Sequence, residues 1–563
     1  MRRLIDEMKR LIQNLSTMRT LTLAALLGVT LAATAADEVE QQVRTRQQER
    51  LTKPTRVLAL EDCIQIALEH NLDVQIRRLD PDVARFDLRS TYGNYDPTFS
   101  LSGSHSYALS PGGLDSQSRA FSGTESDTDS FSAGIGGLLP WGLRYNLGAN
   151  VSDRYGNSPG TTVDPNNFTI HTNTIYSIAT GLPVGYLLGT NYATLPSRNL
   201  FENASANVGF LELRQPLLKD FWIDNTRLQI FVRKNSLKIS ELGLRAQIIT
   251  SITAVEEAYY NLIYAEESVK VQEKALELAE RLVAENRRRV EVGALAPLDE
   301  KQAESQAAAS RADLLGVQAT RDTQQRVLKG LLSDDYDEWK DARIVPTESL
   351  RAVPQKFNLQ ESWRRGITTR PDLLQARLNL EIQARRVKYQ RNQEFPQLDL
   401  VGDIGYSGSG DQYSGAIRQV RRTDNPFYSY GAQLTIPLGN VGARNSLKSA
   451  KTTKEQQELE LKRAEQAVLI GIENSIGTAR TSLERVDATR QARLYAEEAL
   501  KAEQMKLEKG KSTSFIVLQL QRDLTSASSA EIRALADYNI ALANLAADEG
   551  STLERRGVEL RVK

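Results

Sequence analysis

The chain has 563 residues, 25% of them charged, with Lys+Arg and Asp+Glu both at 71. That balance gives no electrostatic reason to expect nucleic acid or a polybasic membrane surface as partner. A mean hydropathy of −0.41 excludes a bundle of membrane-spanning helices, and past the N-terminus no apolar run approaches the length of one.

At the N-terminus, Arg19 precedes an apolar stretch, Leu21 to Ala33, followed by small residues and then acidic Asp37 and Glu38. This pattern predicts a signal peptide over 1–36, cleaved near Ala35 or Ala36, with Met18 an alternative start. The other reading is an uncleaved anchor, against which the apolar run is short. Residues 37–57 are polar, Gln- and Arg-rich and aperiodic, so a flexible segment is expected there.

A helix is predicted over 58–89. It carries the chain's single cysteine, Cys63, which has no partner for a disulfide and reads as a buried, inert thiol. Residues 95–107 then alternate as a strand: Phe99, Leu101, Gly103, His105 and Tyr107 on one face, serines on the other. After a Ser/Gly/Asp-rich loop, two further strands, 131–139 and 142–152, meet at Pro140-Trp141-Gly142. A long loop rich in Asn, Thr, Gly and Pro is expected to fill the interval before a strand over 204–217. That strand sets Leu211 and Leu213 against Glu212 and Arg214, a charged face that costs little when it lines a water-filled lumen.

The period then becomes helical. Ile248, Val255, Leu262, Val269, Leu276, Val283 and Val290 are spaced by seven, a continuous seam within a helix over 225–291. Gly293 ends it, and Pro297 opens a return helix over 297–332. A linker, 334–356, leads into a second half over 357–550: a helix, strands 396–408 and 426–438, a long helix 443–508 and a return helix 513–548, then a tail, 551–563. The halves are related internally. Leu60 to Tyr107 reappears, at an offset of 299, as Leu359 to Tyr406, a period that means two structural halves rather than a solenoid.

Strands of this length and alternation suit a tilted crossing of an outer membrane. In lipid only closed barrels leave no unsatisfied edge, and four or six strands are too few to close one. The chain must therefore pool strands with copies of itself. Whether the hairpin 131–152 lies in the wall, giving six strands per protomer, or outside it, giving four, is open at this stage.

These features resemble the TolC-like outer-membrane efflux protein family over nearly the whole mature chain. The likeness rests on Leu60-Glu61-Asp62-Cys63-Ile64-Gln65-Ile66-Ala67-Leu68-Glu69-His70-Asn71, on Gln215-Pro216-Leu217-Leu218 and on Ile436-Pro437-Leu438-Gly439, in that order and duplicated. It implies a membrane α+β fold: a homotrimeric outer-membrane β-barrel continued by a long periplasmic α-helical coiled-coil barrel, two structural repeats per protomer. It also implies a periplasmic adaptor (membrane fusion protein) and an inner-membrane pump as partners, in a tripartite efflux or type I secretion system of a Gram-negative-type bacterium. No cofactor, metal or catalysis is implied. His70, His105 and His171 are scattered over a helix, a strand and a loop, and no catalytic constellation is legible.

The candidate functional residues lie at the helix turns. Glu291-Val292-Gly293 and Glu508-Lys509-Gly510 correspond at an offset of 217. By the resemblance, Val292, Gly293, Ala294, Lys509, Gly510 and Lys511 contact the adaptor, and Asp299, Gln302, Ile516 and Gln519 form the periplasmic gate. Asp299 is equally read as a helix-start carboxylate favoured by the dipole. A rival reading of the whole chain is a structural periplasmic or surface coiled-coil protein, which accounts for the heptads but not for the duplicated strands.

Overall fold

The computed structural model describes residues 55–114, 118, 120–121, 123–293 and 295–558. The expected signal peptide and most of the segment 37–57 lie outside the described residues. In chain order the elements are β1 (Thr55–Leu58), α1 (Leu60–His70), α2 (Leu72–Tyr92), β2 (Thr98–Leu109), β3 (Gly113–Leu114), β4 (Ala120–Phe121), β5 (Glu125–Leu138), β6 (Arg144–Tyr176) and β7 (Pro183–Pro216). There follow α3 (Asn225–Glu291), α4 (Pro297–Leu332), α5 (Tyr336–Trp339), β8 (Arg343–Pro346), α6 (Leu359–Thr369) and α7 (Pro371–Gln393). The last are β9 (Gln397–Gly410), α8 (Tyr413–Arg422), β10 (Asn425–Thr435), α9 (Val441–Glu508), α10 (Ser514–Glu549) and α11 (Thr552–Arg555).

Three of these spans correct the sequence expectations. The helix expected over 58–89 is two helices parted at Asn71, whose backbone is extended (φ −65°, ψ 122°). The Asn71 side chain accepts from the Asp73 and Val74 amides and donates to the Leu331 carbonyl, so it caps the second helix and ties the break to α4. Arg370, at the same offset of 299, has the same backbone (φ −64°, ψ 124°). The loop expected between 152 and 204 is instead the two arms of one ribbon, β6 and β7, paired from Arg144↔Arg214 out to Tyr176↔Pro183; His171 therefore lies on a strand. The linker 334–356 and the segment before 58 are also partly ordered: Arg343–Pro346 pairs in parallel with Thr55–Leu58.

The chain forms two compact units. One contains the six-stranded antiparallel sheet, in the order β10-β9-β7-β6-β5-β2, so the hairpin 131–152 is part of the sheet and not an appendage. Two neighbouring rows explain its sidedness. Phe99, Ile135, Leu147, Leu211, Ile404 and Tyr428 stand abreast across all six strands. Thr98, Gly136, Asn146, Glu212, Asp403 and Ser429 form the adjacent row, which points to the opposite face. Across this band of the sheet one face is thus apolar and the other polar.

A bulge keeps that sidedness further along the ribbon. Gly209, at φ +70°, is passed over between the pairs Gly148↔Phe210 and Ala149↔Val208. The extra residue returns Val208, Ala206 and Ala204 to the apolar face. There α8 packs on the sheet, burying Ala204, Ala206 and Ala416 together with parts of Val151 and Val420. Gly408 permits this approach, since a Cβ there would stand 2.1 Å from the Ala416 carbonyl oxygen.

The other unit holds the main core. Leu60, Cys63, Ile64 and Ala67 of α1 pack on Ile248, Ile252, Val255, Tyr259 and Leu262 of α3, with Leu328, Leu332, Trp339 and Ile344 closing the cluster. Burial pushes the Cys63 thiol up to about 12, with Asp62 and Glu348 adding to the effect, so at neutral pH it carries no thiolate. The seam on α3 does not stay on one line. Ile248, Val255, Leu262 and Val269 are buried, but nearer the tip Ala265, Gln272, Ala279 and Asn286 take over. A straight helix drifts by about 20° per seven residues against a 3.5 repeat, which moves the buried stripe sideways.

Candidate functional site

The two helix turns are built alike. Gly293 and Gly510 both adopt positive φ, +74° and +67°, the left-handed cap that stops a helix without strain only in glycine. The Gly293 amide donates to Val290 O and the Gly510 amide to Leu507 O. Beyond the first turn Pro297 occupies the first helical turn of α4; Thr513 precedes α10. Val292, Gly293, Lys509, Gly510 and Lys511 are all exposed, whereas Ala294, expected with them, lies outside the described residues.

The candidate gate residues divide. Asp299 is half-buried and accepts a hydrogen bond at Oδ1 from the Ser514 hydroxyl, 3.0 Å away. Its backbone carbonyl accepts from Asn286 Nδ2 at 3.2 Å. The carboxylate therefore joins the start of α4 to the start of α10 instead of capping its own helix. Gln302 is half-buried, while Gln519 and Ile516 are exposed, Ile516 to 41%. Leu298, Phe515 and Met505 are exposed as well, so the turn region presents apolar side chains beside the exposed Lys509 and Lys511.

Residues that the sequence reading missed complete the clamp. Ser514 and Asn286 are each 1% exposed, and Arg289 Nη1 donates to Leu507 O at 3.4 Å, reaching from one turn to the other. Lys506 and the Ser512 hydroxyl hold the Glu503 carboxyl below its usual range. Leu282, Leu500, Leu507, Val517 and Leu518 form the apolar cluster beneath. Asn286 had a legible signal: Gln272, Ala279 and Asn286 recur by seven beside the apolar seam. Ser514 had none, because a serine opening a helix is ordinary.

Among the described residues no group of three or more His, Cys, Asp or Glu side chains is placed to hold a metal ion. The arrangement has the parts of a conduit: a sheet apolar on one face and polar on the other, and long paired helices ending in exposed turns.

The family model for outer membrane efflux proteins matches residues 182–333 and 366–550. The chain belongs to the outer membrane efflux protein family. It is 22% identical to the outer membrane protein TolC of Escherichia coli (strain K12) over 359 residues, 63% of this chain and 71% of TolC. It is 24% identical to the pyoverdine export outer membrane protein OpmQ of Pseudomonas aeruginosa over 301 residues, 53% of this chain and 60% of OpmQ. The fold is similar to that of the Campylobacter jejuni CmeC outer membrane channel, with a TM-score of 0.58 at 15% identity, over 88% of this chain and 86% of that one. Membership places the chain among TolC-like outer-membrane channels with mixed helix and strand content, and its relatives are efflux channels.

Proposed function

We propose that this family member is the exit duct of a tripartite efflux or type I secretion system. In this reading it conducts solutes passively from an inner-membrane pump across the periplasm and outer membrane, and makes or breaks no bond. The observation that carries the reading is the pair of rows across the sheet, apolar Phe99 to Tyr428 beside polar Thr98 to Ser429. Among the described residues the sheet also ends in two strands, β2 and β10, that each pair on one side only. An edge in lipid is costly, so copies of the chain close the ring. A homotrimer would give three copies of six strands, within the range of outer-membrane barrels. The long helices would then form the periplasmic tunnel, with Val292, Gly293, Ala294 and Lys509, Gly510, Lys511 meeting a periplasmic adaptor. Asp299, Gln302, Ile516 and Gln519 would ring the narrow end.

Cysteines on β2 and β10 test the closure. Oxidation is expected to give a covalent trimer in outer-membrane fractions and ion conductance in planar bilayers. A soluble monomer that forms no pores would replace the duct with a structural coiled-coil protein. At the gate, Ile516→Ala is expected to raise conductance, and Asp299→Asn to weaken block by multivalent cations.

A further inference from the structure

The strands of the sheet differ greatly in length. β5 last pairs with β6 at Glu125↔Asn157, and β9 last pairs with β7 at Ala204↔Gly410. Beyond those rungs, among the described residues, β6 and β7 pair only with each other, out to Tyr176↔Pro183. At about 3.3 Å per residue, Ser158 to Tyr176 is a two-stranded ribbon of roughly 60 Å. Such a ribbon is marginal in water by itself, and both of its outer edges carry unpaired backbone groups.

Its side chains set it apart from the rest of the chain. From Pro165 to Ser197 there is no Asp, Glu, Lys or Arg, although 25% of the chain is charged. The far rungs are two-faced. Phe168↔Tyr192, Ile170↔Thr190, Thr172↔Leu188 and Thr174↔Tyr186 turn to one side, and Thr169↔Asn191, His171↔Gly189 and Asn173↔Leu187 to the other. Three of the first four rungs set an apolar or aromatic residue against a threonine. Neither arm therefore alternates alone, and the apolar face exists only once the arms pair. Phe168, Ile170 and Tyr192 are exposed on it, and Tyr186 and Leu188 are each 71% exposed.

Whatever covers this face meets no charge there. A phosphate-bearing lipid surface calls for lysines and arginines, and a charged partner calls for its counter-charge; the ribbon has neither to give. Another copy of the same ribbon fits. A charge at such a contact would recur in each copy and repel itself, and this stretch carries none. Each copy also brings an apolar face and free edges of the same kind.

We propose that the apolar faces of the β6–β7 ribbons of neighbouring copies pack on one another, beyond the rungs where β5 and β9 end. The inference rests on the duct reading for the presence of neighbouring copies; the contact itself does not require a conducting pore.

Oxidative cross-linking of the full-length protein, in outer membranes and after extraction, tests it. The native Cys63 is buried, so an added cysteine supplies the accessible thiol. Leu188→Cys, on the apolar side, is expected to give disulfide-linked pairs severalfold more readily than Asn173→Cys on the other side. Adding Ile170→Lys and Tyr192→Lys to Leu188→Cys should lower the linked fraction at least roughly fivefold, because the contact would then bury like charges. Native mass spectrometry of each variant checks that loss of linkage is not loss of the oligomer. Equal linkage from both faces, no linkage within an intact oligomer, or linkage only to a different protein would overturn the contact. Bilayer conductance of the same samples separates the two readings. A conducting oligomer without linkage sinks the ribbon contact and leaves the duct, whereas linkage without conductance sinks the duct and leaves the contact.

Discussion

Asp299, in the first turn of α4, shows how one carboxylate can tie two helix starts together. Its bond to Ser514 is internal to the protomer, so Ser514→Ala leaves a part-buried charge without its donor. The expected cost is about 1.5 to 3 kcal/mol for a hydrogen bond to a charged group, confined to the turns. Hydrogen exchange should quicken near 293–300 and 510–516 with the sheet unaffected; unchanged exchange would mean that the bond is idle. Another carboxylate gives a pH signature. Arg370 donates to Asp372 from Nε and Nη2 and to Asp548 from Nη1. Burial raises the Asp372 carboxyl, but the Arg370 hydrogen bond and charge outweigh it, and the net displacement is downward. A depressed carboxyl contributes stability that is full above the ordinary carboxylate range and lost as pH falls through the depressed value. Asp372 is 54% exposed, so the contribution is small. Asp372→Asn should flatten the acid limb of a melting-temperature profile and leave the neutral region nearly unmoved; a loss concentrated above pH 7 would contradict the pairing.

At the scale of elements, the sheet allows a paired test of its two faces. Leu147 belongs to the apolar row and Asn146 to the polar one, beside Glu212. Leu147→Arg is expected to cost about 2 to 4 kcal/mol in a bilayer near the midplane, and Asn146→Arg close to nothing; equal tolerance in refolding titrations would take the hairpin out of the membrane. Gly408→Ala should lift α8 from Ala204 and Ala206, for a cost of about 1 to 3 kcal/mol, read as early melting of that helix. The elements also show what was legible in the chain and what was not. Alternation at Phe99 to Tyr107 and heptads from Ile248 to Val269 mark elements because each buries or exposes one face consistently. The outer part of the β6–β7 ribbon does neither: Thr161, Thr162, Asn173 and Thr174 are polar on both faces, Pro159 and Pro196 fall within it, and its register shifts between Val163 and Phe168. Its order comes from pairing between backbones, which leaves no periodic trace in side chains. The break at Asn71 was hidden for another reason, since the apolar spacing continues across it while a single side chain turns the backbone. At the candidate site the two glycines were legible because only glycine relieves the left-handed cap. The Asp299–Ser514 bond was not, because it joins residues 215 apart.

For the whole molecule, the sheet sets the mass of the assembly. If three copies contribute six strands each, native mass spectrometry of the extracted protein should give a trimer of the chain, which weighs 62.7 kDa before processing, and removal of 113–152 should abolish it by deleting β5 and the start of β6. A trimer that survives the deletion would show that the wall closes with four strands per copy.

The pairing of β7 with β9 also has a consequence in time. Arg214 and Asp399 are 185 residues apart, and every residue of α3 and α4 must be made and exported between them. Until then β7 ends a partial sheet with a raw edge and an apolar face. Distant pairings form slowly, and such edges invite aggregation while they wait. The chain is therefore expected to depend on a periplasmic holding chaperone during that interval, more than a barrel stitched from consecutive hairpins would. Slowing export should harm this protein before it harms such a barrel.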